Sequence, residues 1–186
     1  VELHDDDGNP VPAGEEGRIA IRTRDPSPVG LFMEYLDDPE ATAKVFVGDW
    51  YYTGDKAIMD EDGYFWFQGR DDDIIKSSGY RISPAEVESA LMTHPCVKES
   101  AVVGSPDPIR GVIVKAFICL KDGWTGSDEL IRELQNHVKT TTAPYKYPRA
   151  IEFVDELPKT ISGKVRRVEL RDREKKRYEE LNEHQA

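Results

Sequence analysis

Cysteine and histidine are scarce in this sequence, and long hydrophobic runs are missing. Its 186 residues include two cysteines and four histidines. These residues are too scattered for a zinc motif, and two cysteines are too few for a secreted disulfide scaffold. Two reduced, buried thiols and no metal site are therefore expected. The widely spaced residues are Cys96, Cys119, His4, His94, His137 and His184.

Positive charge is also in deficit. The sequence has 25 Lys and Arg against 36 Asp and Glu, a formal net charge of -11. An acidic chain repels nucleic-acid backbones at long range, so no nucleic-acid partner is expected. A local basic pocket for a nucleotide stays compatible with this balance, because a few cations in a cleft outweigh the mean field.

The sequence offers no sign of a membrane span or of a secretory leader. The longest apolar stretch, Val112 to Leu120, is interrupted by Lys115 and is too short to cross a bilayer. The first residues lack the charged, apolar and small-residue order of a signal peptide. A cytoplasmic protein is predicted, with the mitochondrial matrix as the alternative for a eukaryotic source.

The first seventy residues have the pattern of β-structure with tight turns. Residues 17–22 alternate like a half-buried strand. Residues 50–69 form a predicted hairpin, since Asp62-Gly63 supplies the positive φ that such turns require. The second strand of the hairpin, Tyr64 to Phe67, is aromatic on both faces. It is therefore expected to be covered on both sides by something larger, with these side chains in a core.

After the charged break at Arg70 to Asp73 the pattern becomes mixed. Ser83 to Glu86 reads as a capping box, and Ser127 is expected to cap a second helix. The charged tail after Val165 is expected to be a surface helix with a Glu169–Arg173 pair. Further strands are predicted at Val97 to Val103, Val112 to Leu120 and Ile151 to Val154.

The predicted fold class is α+β. A β-rich part is expected at residues 1–71 and a small, mobile C-terminal domain at 72–186. That second domain is expected to hold a short central sheet flanked by helices.

Three polar clusters contain the candidate functional residues. The first, residues 51–55, ends in Thr53-Gly54-Asp55. A tight turn at Gly54 presents the Asp55 carboxylate, which is able to accept hydrogen bonds from a ribose diol. Taken alone, such a tripeptide is more often a strand end with a solvated acid.

The second cluster runs from Gly69 to Ile82 and places Arg70 and Arg81 on either side of an acidic stretch and Ser78-Gly79. Arginine donates hydrogen bonds in pairs, which suits phosphate and ribose. Glycine lets a ligand approach the backbone closely. A polar linker with weak local ion pairs is the competing interpretation.

The third cluster, Pro158 to Arg167, contains Ser162-Gly163-Lys164. It is not a P-loop, because Pro158 stands in place of the first glycine and Val165 in place of the magnesium-binding Ser or Thr. A lysine on such a turn can enter a cleft as a point charge. A plain basic surface turn is the alternative.

Together these clusters resemble the adenylate-forming superfamily of acyl-CoA synthetases, luciferases and adenylation domains. The motifs Tyr-x-Thr-Gly-Asp, Gly-Arg-x-Asp-Asp and Pro-Lys-Thr-x-Ser-Gly-Lys occur in the family's order, and the resemblance covers essentially the whole chain. Residues 105–111, 115–117 and 143–149 look most like the medium-chain acyl-CoA synthetase branch.

The resemblance implies a role for each matching residue. Asp55 and Arg70 would bind the ribose of ATP or AMP, and Lys164 would be the catalytic lysine of adenylation. Asp72 matches the hinge position between two half-reactions. The remaining assignments are coenzyme A binding by Ser78, Gly79, Tyr80, Arg110 and Lys139, and substrate or phosphate binding by Arg81. The loop between Arg110 and Lys139 is slightly shorter than in the family, which makes Lys139 the weaker assignment.

The family makes an acyl-adenylate from a carboxylate and Mg-ATP, releases pyrophosphate, and then transfers the acyl group to coenzyme A, releasing AMP. The resemblance therefore implies a short- to medium-chain carboxylic acid, ATP and coenzyme A as ligands, with Mg²⁺ bound mainly by an N-terminal domain. That domain, which carries the family's phosphate loop and acyl pocket, is expected to be the chain's partner.

The chain alone is expected to be an inactive C-terminal part of a protein about three times as long. The alternatives are an acetyl-CoA synthetase, a carrier-loading adenylation enzyme, or a non-catalytic coenzyme A-binding module.

Overall fold

The computed structural model describes residues 1–24 and 27–183, so His184 lies outside the described part. The strands are β1 (Glu2–His4), β2 (Glu16–Arg22), β3 (Phe46–Val47), β4 (Trp50–Met59), β5 (Phe65–Arg70), β6 (Ile75–Ser77), β7 (Tyr80–Ile82), β8 (Val97–Asp107), β9 (Gly111–Leu120) and β10 (Ala150–Phe153). The helices are α1 (Pro39–Val45), α2 (Pro84–Met92), α3 (Asp128–Thr141) and α4 (Arg167–Glu183). Short 3₁₀ turns cover Asp71–Asp73 and Pro144–Lys146.

The chain divides into two compact units, Val1–Asp72 and Asp73–Ala186. The first unit is built on an antiparallel sheet in which β4 is the longest strand. Strand β2 pairs along most of β4, β1 pairs with β2, and β3 and β5 pair with opposite ends of β4. The β4–β5 hairpin reverses through Gly63, whose φ is +85° and whose N–H donates to the Asp60 carbonyl at 3.1 Å.

The aromatic side chains of Tyr64 to Phe67 do not form a core with the described residues of this unit, so the prediction of a core there is wrong. Tyr64, Trp66 and Phe67 are 61–69% exposed, and Phe65 is 39% exposed. Trp66 Nε1 donates instead to the turn carboxylate of Asp60 at 2.8 Å. Strand β5 is paired to β4 through its backbone, which orders the strand without covering its faces.

The second unit packs helices on both faces of a three-stranded sheet. Strands β8 and β9 form a long antiparallel pair, and β10 joins β9 in parallel. Successive side chains in a strand point to opposite faces. Val102 of β8 accordingly packs in one cluster with α2 and α3, whereas Ala101 and Val103 pack in another with Leu170 of α4. The α+β fold class is confirmed.

Helix α3 follows its sequence pattern closely. The Ser127 hydroxyl accepts a hydrogen bond from the Leu130 N–H at 3.2 Å, as an N-cap residue does. Leu130, Leu134 and Val138 lie on the buried stripe of the helix. A cap and an apolar stripe are local signals, so sequence alone was sufficient here.

Two predicted helix contacts are wrong because tertiary partners replace local ones. The Ser83 side chain makes no capping hydrogen bond to α2, and the Glu86 carboxylate accepts from Lys146 instead. In α4, Arg173 pairs with Glu152 of β10 rather than with Glu169. Both changes bring a side chain to a residue that is distant in the sequence.

Cys96 and Cys119 are buried free thiols, as predicted. Burial raises the pKa of both thiols above the ordinary value. None of the helices within residues 1–24 and 27–183 combines the length and the apolar composition that a bilayer span requires.

Candidate functional site

Asp55 and Arg70 lie directly opposite each other on β4 and β5. Arg70 Nη1 approaches the Asp55 carboxylate and the Thr53 carbonyl, each at 3.4 Å. Their side chains are 35% and 47% exposed, so both groups face solvent along part of their surface. The predicted ribose-binding residues are therefore brought together as a carboxylate acceptor beside a guanidinium donor.

Gly54 makes this arrangement possible. Its φ is +81°, a conformation that side-chain-bearing residues rarely adopt, and a Cβ there would lie 2.9 Å from Arg70 Nη2. The glycine thus lets the guanidinium lie against the backbone of β4. Gly54 and Arg70 also line a cavity of about 570 Å³.

The walls of that cavity carry charge of both signs. Arg18, Lys44 and Arg70 contribute cationic groups, while Asp71 and Asp72 contribute carboxylates. Asp72, the predicted hinge residue, closes the first unit and accepts a hydrogen bond from Arg70 Nε at 3.0 Å.

Ser78 and Gly79 form the turn of the β6–β7 hairpin. Their φ angles are +50° and +83°, as in the two-residue turns that connect twisted strands. Arg110 Nη1 donates to the Ser78 hydroxyl at 3.2 Å, although the two residues are far apart in sequence. Three of the predicted coenzyme A residues are therefore neighbours at one exposed turn.

Tyr80 follows this turn and stacks on Tyr145, with ring centroids 4.2 Å apart and planes inclined by 16°. Sequence reasoning did not single out Tyr145. Its only signal was its position within the branch-like segment at residues 143–149. The exposed arginine Arg81 lies in the middle of β7, where it is the register partner of Lys76.

Lys139, near the end of α3, belongs to a different local cluster. Its ammonium group lies 4.1 Å from the centre of the Tyr147 ring, and the Arg149 guanidinium lies 5.0 Å from the same ring. A cation above an aromatic face is stabilised by the ring quadrupole. The structure thus places Lys139 with Tyr147, and the contacts of Ser78 are made by Arg110 instead.

Lys164 is presented at the end of a closed turn. The Lys159 and Val165 backbones form a bridge, and the Thr160 N–H donates to the Lys164 carbonyl at 2.8 Å. The Thr160 hydroxyl accepts from the Lys164 N–H at 3.1 Å, and Gly163 has a φ of +82°. Thr160 and Gly163 thus shape the turn, and the Lys164 side chain is left exposed.

Lys159 anchors the base of this turn. Its ammonium group donates to Glu99 of β8 at 2.8 Å. Sequence reasoning missed Glu99, because a lone glutamate on a predicted strand carries no signal of a partner sixty residues away. The turn is therefore attached to the central sheet while its tip reaches outward.

Across the described residues no group of three or more His, Cys, Asp or Glu side chains is arranged to hold a metal ion. The acidic residues that lie close together here are paired with arginine or lysine, as in the contacts of Asp55 and Asp72.

Comparisons with known proteins connect these features. Residues 86–164 match the family model described as AMP-binding enzyme C-terminal domain. The chain is 61% identical over 176 residues to the mitochondrial acyl-coenzyme A synthetase ACSM5 of Rattus norvegicus. It is also 61% identical over 176 residues to the mitochondrial ACSM1 synthetase of Homo sapiens. Each alignment covers 94% of this chain and 30% of the relative, so the chain spans about a third of the length of these relatives.

Solved structures give the same result. The anthranilate CoA ligase AuaEII, in complex with anthranoyl-AMP, superposes with a TM-score of 0.79 at 45% identity, covering 93% of this chain and 33% of that one. The ATP-bound MatB of Rhodopseudomonas palustris gives a TM-score of 0.80 at 31% identity, with 92% and 33% coverage. Residues 86–164 therefore match the C-terminal domain of AMP-binding enzymes, and along nearly its whole length the chain is similar to part of the acyl-CoA synthetases and of other adenylate-forming enzymes.

Proposed function

We propose that the full-length protein containing this chain is an AMP-forming acyl-CoA synthetase for a short- to medium-chain carboxylic acid. The observation that carries the proposal is the 58–61% identity to acyl-coenzyme A synthetases over 176 residues. Identity at this level, over 94% of the chain, supports the acyl-CoA synthetase branch more than a carrier-loading enzyme.

In the first half-reaction, a carboxylate oxygen of the acid attacks the α-phosphate of ATP and pyrophosphate leaves. Asp55 would accept hydrogen bonds from the ribose hydroxyls, and Arg70 beside it would donate one. Lys164 would place its ammonium charge where negative charge gathers between the carboxylate oxygen and the α-phosphate. A preorganised charge of this kind contributes on the order of a hundredfold in rate or more.

In the second half-reaction, the thiol of coenzyme A attacks the acyl carbonyl, its proton is released, and AMP leaves. Arg110 and the backbone of the Ser78-Gly79 turn would bind coenzyme A, with Tyr80 stacked on Tyr145 as a flat wall beside them. Lys139 would add a phosphate contact from the Tyr147 cluster. Arg81 would bind substrate or phosphate, and Asp72 would be the hinge between the two half-reactions.

The remaining parts of the reaction belong to the rest of the protein. Mg²⁺ would enter with ATP and be held by the phosphates and by the N-terminal domain. The exposed aromatic side chains of β5 support a packing contact with that domain, because leaving the Trp66 ring 61% exposed to water is unfavourable. The names of the relatives favour mitochondria over the cytosol as the location.

The decisive experiment is ATP–pyrophosphate exchange with a panel of carboxylic acids, run on the full-length protein and on the 186-residue chain. We expect exchange by the full-length protein alone, with the preferred acid defining the acyl class. Lys164→Ala is expected to lower the exchange rate on the order of a hundredfold or more and to spare thioester formation from supplied acyl-adenylate. Lys175→Ala, another exposed lysine, is the matched control.

Other outcomes point elsewhere. Equal loss of both steps in Lys164→Ala would contradict the division of labour between the two half-reactions. Coenzyme A binding without turnover by the full-length protein would favour a binding module. Acyl transfer to a carrier protein in place of coenzyme A would favour the carrier-loading enzyme.

A further inference from the structure

Two adjacent residues at the unit boundary are held by different groups. Asp72 ends the first unit and accepts from Arg70 at 3.0 Å, in a pair whose side chains are 47% and 60% exposed. Exposed ion pairs of this kind contribute little to the free energy of unfolding. Asp73 begins the second unit, its side chain is only 11% exposed, and it binds Arg167 and Arg171 of α4.

The Asp73 contact is the more buried of the two. One carboxylate oxygen accepts from Arg171, and the other accepts from Arg167 at 3.4 Å. The two arginines are 26% and 31% exposed, so water screens this contact much less than the Arg70–Asp72 pair. Asp73 is thereby fastened to the first turns of α4.

Arg167 is itself fixed from a second direction. Its Nε and Nη2 donate to the two oxygens of Glu88 on α2 at 3.0 and 2.6 Å. Glu88 also accepts from the Val102 N–H of β8 at 2.8 Å. A bidentate contact of this type fixes the plane of the guanidinium as well as its position.

The same helix start supports the Lys164 turn. Arg167, the first residue of α4, is three positions after Lys164. The preceding residue, Arg166, donates its N–H to the Pro158 carbonyl at 2.8 Å, which closes the base of the turn. Only a short, hydrogen-bonded segment therefore separates the Asp73 contact from the catalytic lysine.

We propose that Asp73 is a positioning residue for adenylation: its contact with Arg167 and Arg171 couples the end of the hinge to the turn that carries Lys164. The inference rests on the proposed roles of Asp72 and Lys164. Because Asp73 is fastened to α4, rotation is confined to the backbone at and before the bond between Asp72 and Asp73. The turn that carries Lys164 then rotates together with Asp73 and α4 as one body.

The test uses the full-length enzyme and isolates this contact. Arg171→Gln is preferred to a change at Arg167, because Arg167 also binds Glu88. Asp73→Asn removes the other partner with little change of shape, and Lys176→Gln removes a comparable charge from a 77% exposed position of α4. The readouts are kcat and KM in pyrophosphate exchange and the melting temperature.

We expect Arg171→Gln and Asp73→Asn each to lower kcat for exchange at least about tenfold, since a misplacement of about 1 Å costs up to about a hundredfold. The KM for ATP should stay near that of the control. The double variant should be no slower than Asp73→Asn alone, because Asp73→Asn already removes the contact that Arg171→Gln breaks.

A second cycle separates positioning from general structural damage. If the contact acts through Lys164, Arg171→Gln combined with Lys164→Ala should be no slower than Lys164→Ala alone. Multiplication of the two losses, or exchange by Arg171→Gln and Asp73→Asn within twofold of the control, would overturn the inference. Exchange unaffected by Lys164→Ala would overturn the proposed role of the lysine itself, and this inference with it.

Discussion

Removing the carboxylate of Glu174 is expected to destabilise the second unit strongly. Lys115 of β9 is 3% exposed, and its ammonium group donates to Glu174 of α4 at 2.6 Å and to Glu152 of β10 at 2.8 Å. The Ser105 hydroxyl donates to the other Glu174 oxygen at 2.8 Å. The Glu174→Ala change therefore leaves a buried ammonium with one carboxylate and a buried hydroxyl without its acceptor.

Breaking a buried ion pair by removing one partner costs about 3–5 kcal/mol. Because Glu152 stays within reach of Lys115, the lower end, about 3 kcal/mol, is expected for Glu174→Ala. For a unit of roughly a hundred residues, that loss lowers the melting temperature by on the order of 10–20 °C. Glu180→Ala, an exposed position of α4 paired with Lys176 at 3.9 Å, should cost less than about 0.5 kcal/mol.

The assay is urea unfolding of the 186-residue chain, followed by a tryptophan that reports on the second unit alone. Trp124 serves this purpose once Trp50 and Trp66 of the first unit are replaced by phenylalanine. A loss below about 1 kcal/mol would refute the reasoning, because it would mean that water reaches Lys115 easily. The paired change of Lys115→Met with Glu174→Leu should recover most of the stability, since an apolar pair needs no desolvation of charge.

Three further predictions follow from single contacts. Gly54→Ala should weaken ATP binding by the full-length enzyme several-fold, because the added methyl group displaces the Arg70 guanidinium. Gly63→Ala has a similar φ and open space around it, so it is the control for backbone strain alone. Equal ATP affinities of the two variants in calorimetry would contradict the prediction. Burial acts to raise the pKa of the Glu152 carboxyl, but its hydrogen bonds and charged neighbours outweigh burial and hold the pKa below 4.5. In urea titrations, the free energy of unfolding should therefore exceed that of Glu152→Gln above about pH 5, and the difference should shrink as the pH falls below that value. A difference that does not depend on pH would speak against this prediction. The two buried cysteines, whose thiol pKa values are raised, should react with a maleimide only after urea unfolding, and rapid labelling of the folded chain would be inconsistent with their burial.

Features controlled by neighbours in the sequence were predicted well. The Asp62-Gly63 hairpin, the Ser127 cap and the apolar stripe of α3 all depend on backbone preferences or on a helical repeat. The motif that contains Lys164 could also be recognised from sequence, because its Thr, Gly and Lys act on one another within five positions. For the candidate site, the sequence identified residues and the structure showed their contacts.

Predictions that depended on distant partners fared worse. Arg173 pairs with Glu152 of β10 rather than with the predicted partner Glu169, which pairs with Arg166 instead. The aromatic face of β5 was expected in a core and is exposed, because periodicity shows that a face is apolar without showing what covers it.

The sequence by itself determined the α+β class, the position of the turns and the residue types of the three polar clusters. Only the tertiary structure decided which of them meet: Arg110 with Ser78, Tyr80 with Tyr145, and Asp73 with the two arginines of α4. The physical reason is that turns and helices follow from local torsional preferences and hydrogen bonds. Contacts between residues as many as 98 positions apart, as in Asp73 and Arg171, exist only after the core has packed and brought their elements together.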